Sequence, residues 1–192
     1  MEFSISPGIK KKLRSIAWYQ IAGGIAGFIV IVWNVVNNDN FTFIQILTGA
    51  FAVGVFGFSI FCGQKILKAE INKALKLSAI NQSLQLISFS VFGYAFKYAA
   101  GLSVAVGFDY SDNFLFSLHF GVSEFDLNIN SPSGLILLEF NLVAVYILWL
   151  IGQLKKKIEV ELALSNSVLP FGDSGNILPA EEDIHLEDNN AG

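Results

Sequence analysis

The sequence predicts an α-helical integral membrane protein with four transmembrane helices, or three on a second reading. A β-hairpin or β-meander is expected before the last helix, and a disordered acidic tail at the C-terminal end. Three observations lead there. Of 192 residues, 53% are hydrophobic and only 15% charged, against about 25% charged in an ordinary soluble domain. Two runs, 16–36 and 41–63, contain no charged residue, and each is as long as the roughly 20 apolar residues that cross a bilayer. The bases gather at 10–14, 65–76 and 155–157, leaving Lys97 by itself; Lys and Arg collect at the cytoplasmic ends of spans.

Taken in order, residues 1–14 form a basic cytoplasmic N-terminus. A signal peptide would carry a shorter apolar stretch and a small-residue cleavage site, whereas this stretch runs on into Trp33, so it reads as an anchor. Residues 15–64 read as a transmembrane helical hairpin, turning through Asn37, Asn38, Asp39 and Asn40. Gly23 and Gly27 in the first span, with Gly49, Gly54 and Gly57 in the second, are the expected helix-packing positions, because small residues let helix backbones approach. Residues 65–83 place Ile66, Ile71, Ala74, Leu75, Ser78 and Ile80 on one side and lysines mostly on the other. That is an amphipathic cytoplasmic helix.

Residues 84–132 support two structures. With period 2, Tyr94, Phe96, Tyr98, Leu102, Val104, Val106, Phe108 and Tyr110 alternate with smaller or polar residues. The alternation resumes at Phe114 and slips by one at Glu124, as at a β-bulge. With period 3.6, residues 84–106 form a third span carrying one charge, Lys97, and residues 114–130 an outer β-hairpin. Four crossings place the three basic clusters on one side, and this reading is preferred. A last span follows at 133–152, carrying Glu139 and Asn141. Residues 153–192 are a basic stop followed by a flexible tail with eight acids and no base after Lys157; high charge and frequent Gly, Pro, Ser and Asn predict disorder there.

Chemistry is sparse. Ionisable residues within spans are functional candidates by default, and Lys97 and Glu139 fall at similar depth in the four-span reading, with Asn141 nearby. They form a candidate intramembrane polar pair. His119 and His185 lack a second ligand at metal spacing, and Cys62 stands alone. No phosphate-binding loop, zinc-protease helix or nucleophile elbow occurs. No catalytic residue, metal site or cofactor is therefore expected, and the basic clusters lack the interleaved aromatics that nucleic acid would call for. The expected partners are the lipid bilayer, further copies of the chain or other membrane subunits, and a protein that docks the acidic tail. The abundance of Lys over Arg, with frequent Asn, Phe and Ile, suggests a bacterial inner membrane, and the shared side of the basic clusters makes both termini cytoplasmic. The functional expectation is a small non-enzymatic multipass protein, a subunit or scaffold of a membrane assembly. The alternatives are a self-assembling, holin-like pore, or a small transporter or sensor using Lys97 and Glu139.

Overall fold

The computed structural model describes residues 6–38, 40, 42–68, 70–110, 115–129 and 136–167. Within them the chain order is α1 (Pro7–Val36), α2 (Phe43–Leu67), α3 (Ile71–Leu84), β1 (Ile87–Val91), β2 (Tyr94–Asp109), β3 (Leu115–Ile129), β4 (Leu137–Asn141) and α4 (Leu142–Ser167). The acidic tail beyond 167 lies outside the described residues.

Local sequence explains most boundaries. Pro7 opens α1, where its missing N–H costs nothing and its fixed φ suits the first turn, and Asn37 closes it. Thr42 and Gln45 form a capping box at the start of α2: the Thr42 hydroxyl accepts from the Gln45 N–H at 3.3 Å and the Gln45 side chain accepts from the Thr42 N–H at 2.9 Å. Two free N–H groups are satisfied together. α2 ends at Leu67 and α3 begins at Ile71, and Lys65 and Glu70, 2.7 Å apart, bridge the join. Asn141 caps α4, its side-chain oxygen accepting from Val143 N at 3.1 Å and Ala144 N at 3.4 Å.

The four-span and three-span expectations are both overturned. Residues 87–109 are two strands, joined at Phe92 and Gly93, both of positive φ, so no helix crosses there. The third apolar run begins as strand β4, and α4 places Lys155, Lys156 and Lys157 within its length. Among the described residues, two helices, α1 and α2, are long and apolar enough to cross a membrane by length and composition. The physical reason lies in residue type: the Tyr, Phe and Val of the middle segment alternate with Ala, Ser and Gly, which suits a pleated surface over a helix.

All strand pairings are antiparallel, in the order β1-β4-β2-β3, and β1 also pairs with β2. Phe89 of β1 lies opposite both Phe96 of β2 and Leu138 of β4, while Leu138 lies opposite Phe108 at the far end of β2. Three strands thus close on one another, and β3 flanks β2 along its whole length. Of the expected outer hairpin 114–130, the described residues 115–129 are instead one strand, β3, paired with β2. The β2–β3 register shifts between Ala99 and Leu102, opposite Ser123 (φ 49°), which is where the alternation of β3 slips.

Two cores result. At the basic end, Leu13, Ile16 and Ala17 of α1 pack with Ile66 of α2, Leu75 of α3, and Ile151 and Leu154 of α4. Further along the hairpin, Val55 and Phe56 of α2 meet Tyr98 and Ala100 of β2, with Phe28, Ile31 and Phe125 around them. Beyond this level nothing in the described chain covers the hairpin. Val32, Trp33, Val36, Phe43, Ile46 and Leu47 are all exposed.

Candidate functional site

β2 runs alongside α1 in the opposite direction. Tyr98 faces Phe56 with ring centroids 5.5 Å apart, a Cβ on Gly23 would run into the Ala100 and Gly101 backbone, and the Tyr19 hydroxyl donates to the Leu102 carbonyl at 2.8 Å. Only glycine at 23 permits that approach. Gly101 has φ 101°, a conformation that costs glycine little. The Ser123 hydroxyl locks the crossing, donating to the Gly23 carbonyl at 2.9 Å and accepting from the Gly101 N–H at 3.0 Å.

The expected helix-packing glycines divide. Gly23 meets β2 instead of another helix, and Gly27 meets the Phe56 ring. Gly57 has only Phe28 at its edge, 3.9 Å away, while Gly49 and Gly54 face open space.

Beneath this crossing lies a layer of buried polar side chains that sequence reasoning missed. Gln20, Ser59, Ser78, Asn81 and Gln82 are fully buried. The Ser59 hydroxyl donates to the Gln20 carbonyl at 3.0 Å, the Ser78 hydroxyl to the Gln20 side-chain oxygen at 3.2 Å, and the Asn81 amide to Ser59 Oγ at 3.2 Å. The Tyr98 hydroxyl lies 2.8 Å from the Val55 carbonyl and 3.1 Å from Asn81 Oδ1; burial pushes its pKa up and keeps it a neutral donor. Gln85 accepts from the Ala100 N–H at 2.9 Å. The signal was present: Ser78, Asn81, Gln82 and Gln85 recur at i, i+3, i+4 and i+7, a polar stripe at helical spacing. Ser78, Asn81 and Gln85 point inward onto polar groups of α1, α2 and β2, while the Gln82 amide is buried with no hydrogen-bond partner among the described residues.

The ionisable cluster joins three strands of the sheet. Lys97 Nζ on β2 lies 3.0 Å from a Glu124 oxygen on β3 and 3.4 Å from a Glu139 oxygen on β4. The structure thus brings Lys97 and Glu139 together, but from two strands and not from two spans. Asn141 is spent on capping α4. Glu124 and His119, read from the sequence only as a strand slip and a lone imidazole, join this cluster, with His119 Nε2 2.9 Å from the other Glu124 oxygen. Glu124 joins Lys97 because the slip at Ser123 turns it onto the His119 and Gly121 face. Burial alone would raise the Glu124 pKa, but hydrogen bonds from His119 and Lys97 prevail and hold it below the ordinary glutamate value. One ammonium between two carboxylates locks strands together. It presents no activated nucleophile. Among the described residues, no three His, Cys, Asp or Glu side chains converge to hold a metal ion. Cys62 is buried.

The polarity of the β2–β3 hairpin is inverted. Ser103, Ala105 and Gly107 on its inner face are buried, whereas Leu102, Phe116, Leu118, Phe120 and Val122 on its outer face are exposed. A soluble sheet shows the opposite. A shallow groove of about 480 Å³ lies elsewhere, between the start of α1 and the later turns of α4, lined in part by Lys12, Lys156, Lys157 and Glu161. Glu161 also accepts from the Ser6 N–H at 3.2 Å.

No protein-family model, no curated protein and no solved structure matches this chain.

Proposed function

We propose that this chain is a non-enzymatic membrane subunit, anchored by the α1–α2 hairpin and contributing its sheet to a larger assembly. The observation that carries the reading is the bare apolar tip, from Ile29 to Val36 on α1 and Phe43 to Leu47 on α2. Exposed apolar surface of this extent marks a membrane or partner site. The bases support one orientation: the start of α1, the end of α2, the start of α3 and the later part of α4 share one core, so their lysines lie at the end opposite the tip. By the positive-inside rule that end is cytoplasmic. The absence of an activated group in the Lys97 cluster favours a structural role for it.

Alkaline carbonate extraction of membranes tests this. The wild-type chain is expected to stay in the pellet. Val32→Lys with Leu47→Lys replaces two exposed tip residues, at about 2.5–3.5 kcal/mol each for lysine inside a bilayer, and is expected to shift the chain to the supernatant. Extraction of the wild type itself overturns the reading.

A second reading, a self-assembling pore, is favoured by the apolar outer and small or polar inner face of β2–β3. It predicts dye release from vesicles at high protein density, and vesicles that stay tight exclude it.

A further inference from the structure

We infer that the partner of β3 is β3 of a second copy of this chain, paired antiparallel along its outer edge between Leu115 and Val122. The inference rests on the membrane-subunit reading and names the partner. β3 hydrogen-bonds as a strand with β2 alone, and no other backbone group in the described chain bonds to residues 115–122. One row of their N–H and C=O groups is left over. Further along, the strand is occupied: Ser123 bonds to Gly23, and Phe125 packs on Phe51 with centroids 5.9 Å apart. The stretch 115–122 is the part of the open edge that lies clear of these side-chain contacts with the helices.

Native edge strands are guarded by Lys, Pro, inward charges or a covering element. Residues 115–122 (LFSLHFGV) contain no Lys, Arg, Asp, Glu or Pro. A strand of any kind would supply backbone groups, so the side chains must choose the occupant. They match themselves. Pairing about a twofold near His119 sets Phe116 opposite Val122, Leu118 opposite Phe120 and Ser117 opposite Gly121. Apolar side chains then meet on the outer face, while on the inner face Ser117 meets Gly121 and His119 meets its own copy at the axis. With no carboxylate or ammonium in the stretch, two copies approach without like-charge repulsion. The product is a β2–β3–β3–β2 sheet whose outer apolar face continues across both copies.

The experiment is a single-cysteine scan from Phe116 to Val122 in the full chain in membranes, with mild oxidation and non-reducing electrophoresis. Cys62 is buried and stays in place, so the wild type supplies the baseline. Phe89, on the outer face of β1, supplies an off-interface control. The expected result is a dimer band strongest at one position and falling off on both sides of it, as a twofold axis requires, with none at Phe89. Leu118→Lys and Phe120→Lys alter exposed side chains and are expected to turn a dimer in mild detergent into a monomer with its melting curve kept. Bands of equal strength at every position, no band at all, or conjugates with a different protein overturn the inference. Carbonate extraction of the same membranes separates the two failures. A chain that stays in the pellet without forming the dimer band overturns the pairing alone, whereas an extracted chain overturns the membrane reading.

Discussion

The backbone of α1 at Gly23 rests directly on the backbone of β2 at Ala100, so that a Cβ at position 23 would fall among the Ala100 and Gly101 main-chain atoms. Backbone cannot yield as a flexible side chain can. Gly23→Ala is therefore expected to destabilise the fold by about 1–3 kcal/mol or more, as overpacking does. Gly54→Ala, on the same hairpin but facing open space, is expected to leave stability equal or raise it by up to about 1 kcal/mol through helix propensity. Thermal melts of the two variants in one detergent check the pair, and equal effects would contradict the contact.

Lys97 neutralises two carboxylates at once, and Glu139 is nearly buried. Lys97→Met strands Glu139 and leaves Glu124 with His119 alone. Removing one partner of a fully buried pair costs about 3–5 kcal/mol; Lys97 retains 23% exposure, so about 1–3 kcal/mol is expected. Glu124→Gln leaves the Lys97–Glu139 pair and should cost less. Denaturant melts of the two variants give the order, and the reverse order would remove the cluster from the account.

Acid should act through Glu124. Its pKa is lowered in the fold, so its contribution to stability is full above the ordinary glutamate value, near 4.3 in an unfolded chain. The contribution is lost as pH falls through the lower folded value. Melting temperature recorded from pH 7 downward should therefore drop on the acid side of that range. The Glu124→Gln chain should show a shallower drop, and identical acid limbs would sink the assignment.

The α1–α2 hairpin was legible in the sequence because two long uncharged runs flank a polar turn, a pattern that length and composition alone identify. The middle was not, because residues 94–108 satisfy both periods. Their alternation makes a two-faced strand, and their spacing also stacks Ala95, Ala99, Ser103 and Gly107 as a helix face. Counting bases per side tipped the reading to a helix, an argument that presumed the last run was a span. The structure spends the start of that run on β4. Lys97 and Glu139 were paired by a depth argument that does not describe them; strand register brings them together. Glu124 lies outside that depth argument, because it reaches Lys97 through the slip at Ser123, which the break in alternation at Glu124 announces as a bulge without showing which side chain it turns towards Lys97.

Tyr98 ties the sheet to the helices by one hydroxyl, shared between the Val55 carbonyl and Asn81. Tyr98→Phe keeps the ring against Phe56 and removes the one proton that the Val55 carbonyl and Asn81 Oδ1 share. The expected loss is about 1–3 kcal/mol. Asn81→Ala adds little on top of it, since residues of one network are not additive. A double-mutant cycle reads the coupling, and full additivity would show that the two side chains act separately.

Trp33 tests the central claim most directly, because it is 70% exposed on the bare part of α1 where the hairpin is proposed to enter lipid. In a chain with Trp18→Phe and Trp149→Phe, its fluorescence can be read in vesicles whose lipids carry a quencher on the acyl chain. The account predicts blue-shifted emission that is quenched from within the bilayer and shielded from aqueous iodide. Emission typical of water, open to iodide and untouched by the lipid quencher, would contradict it.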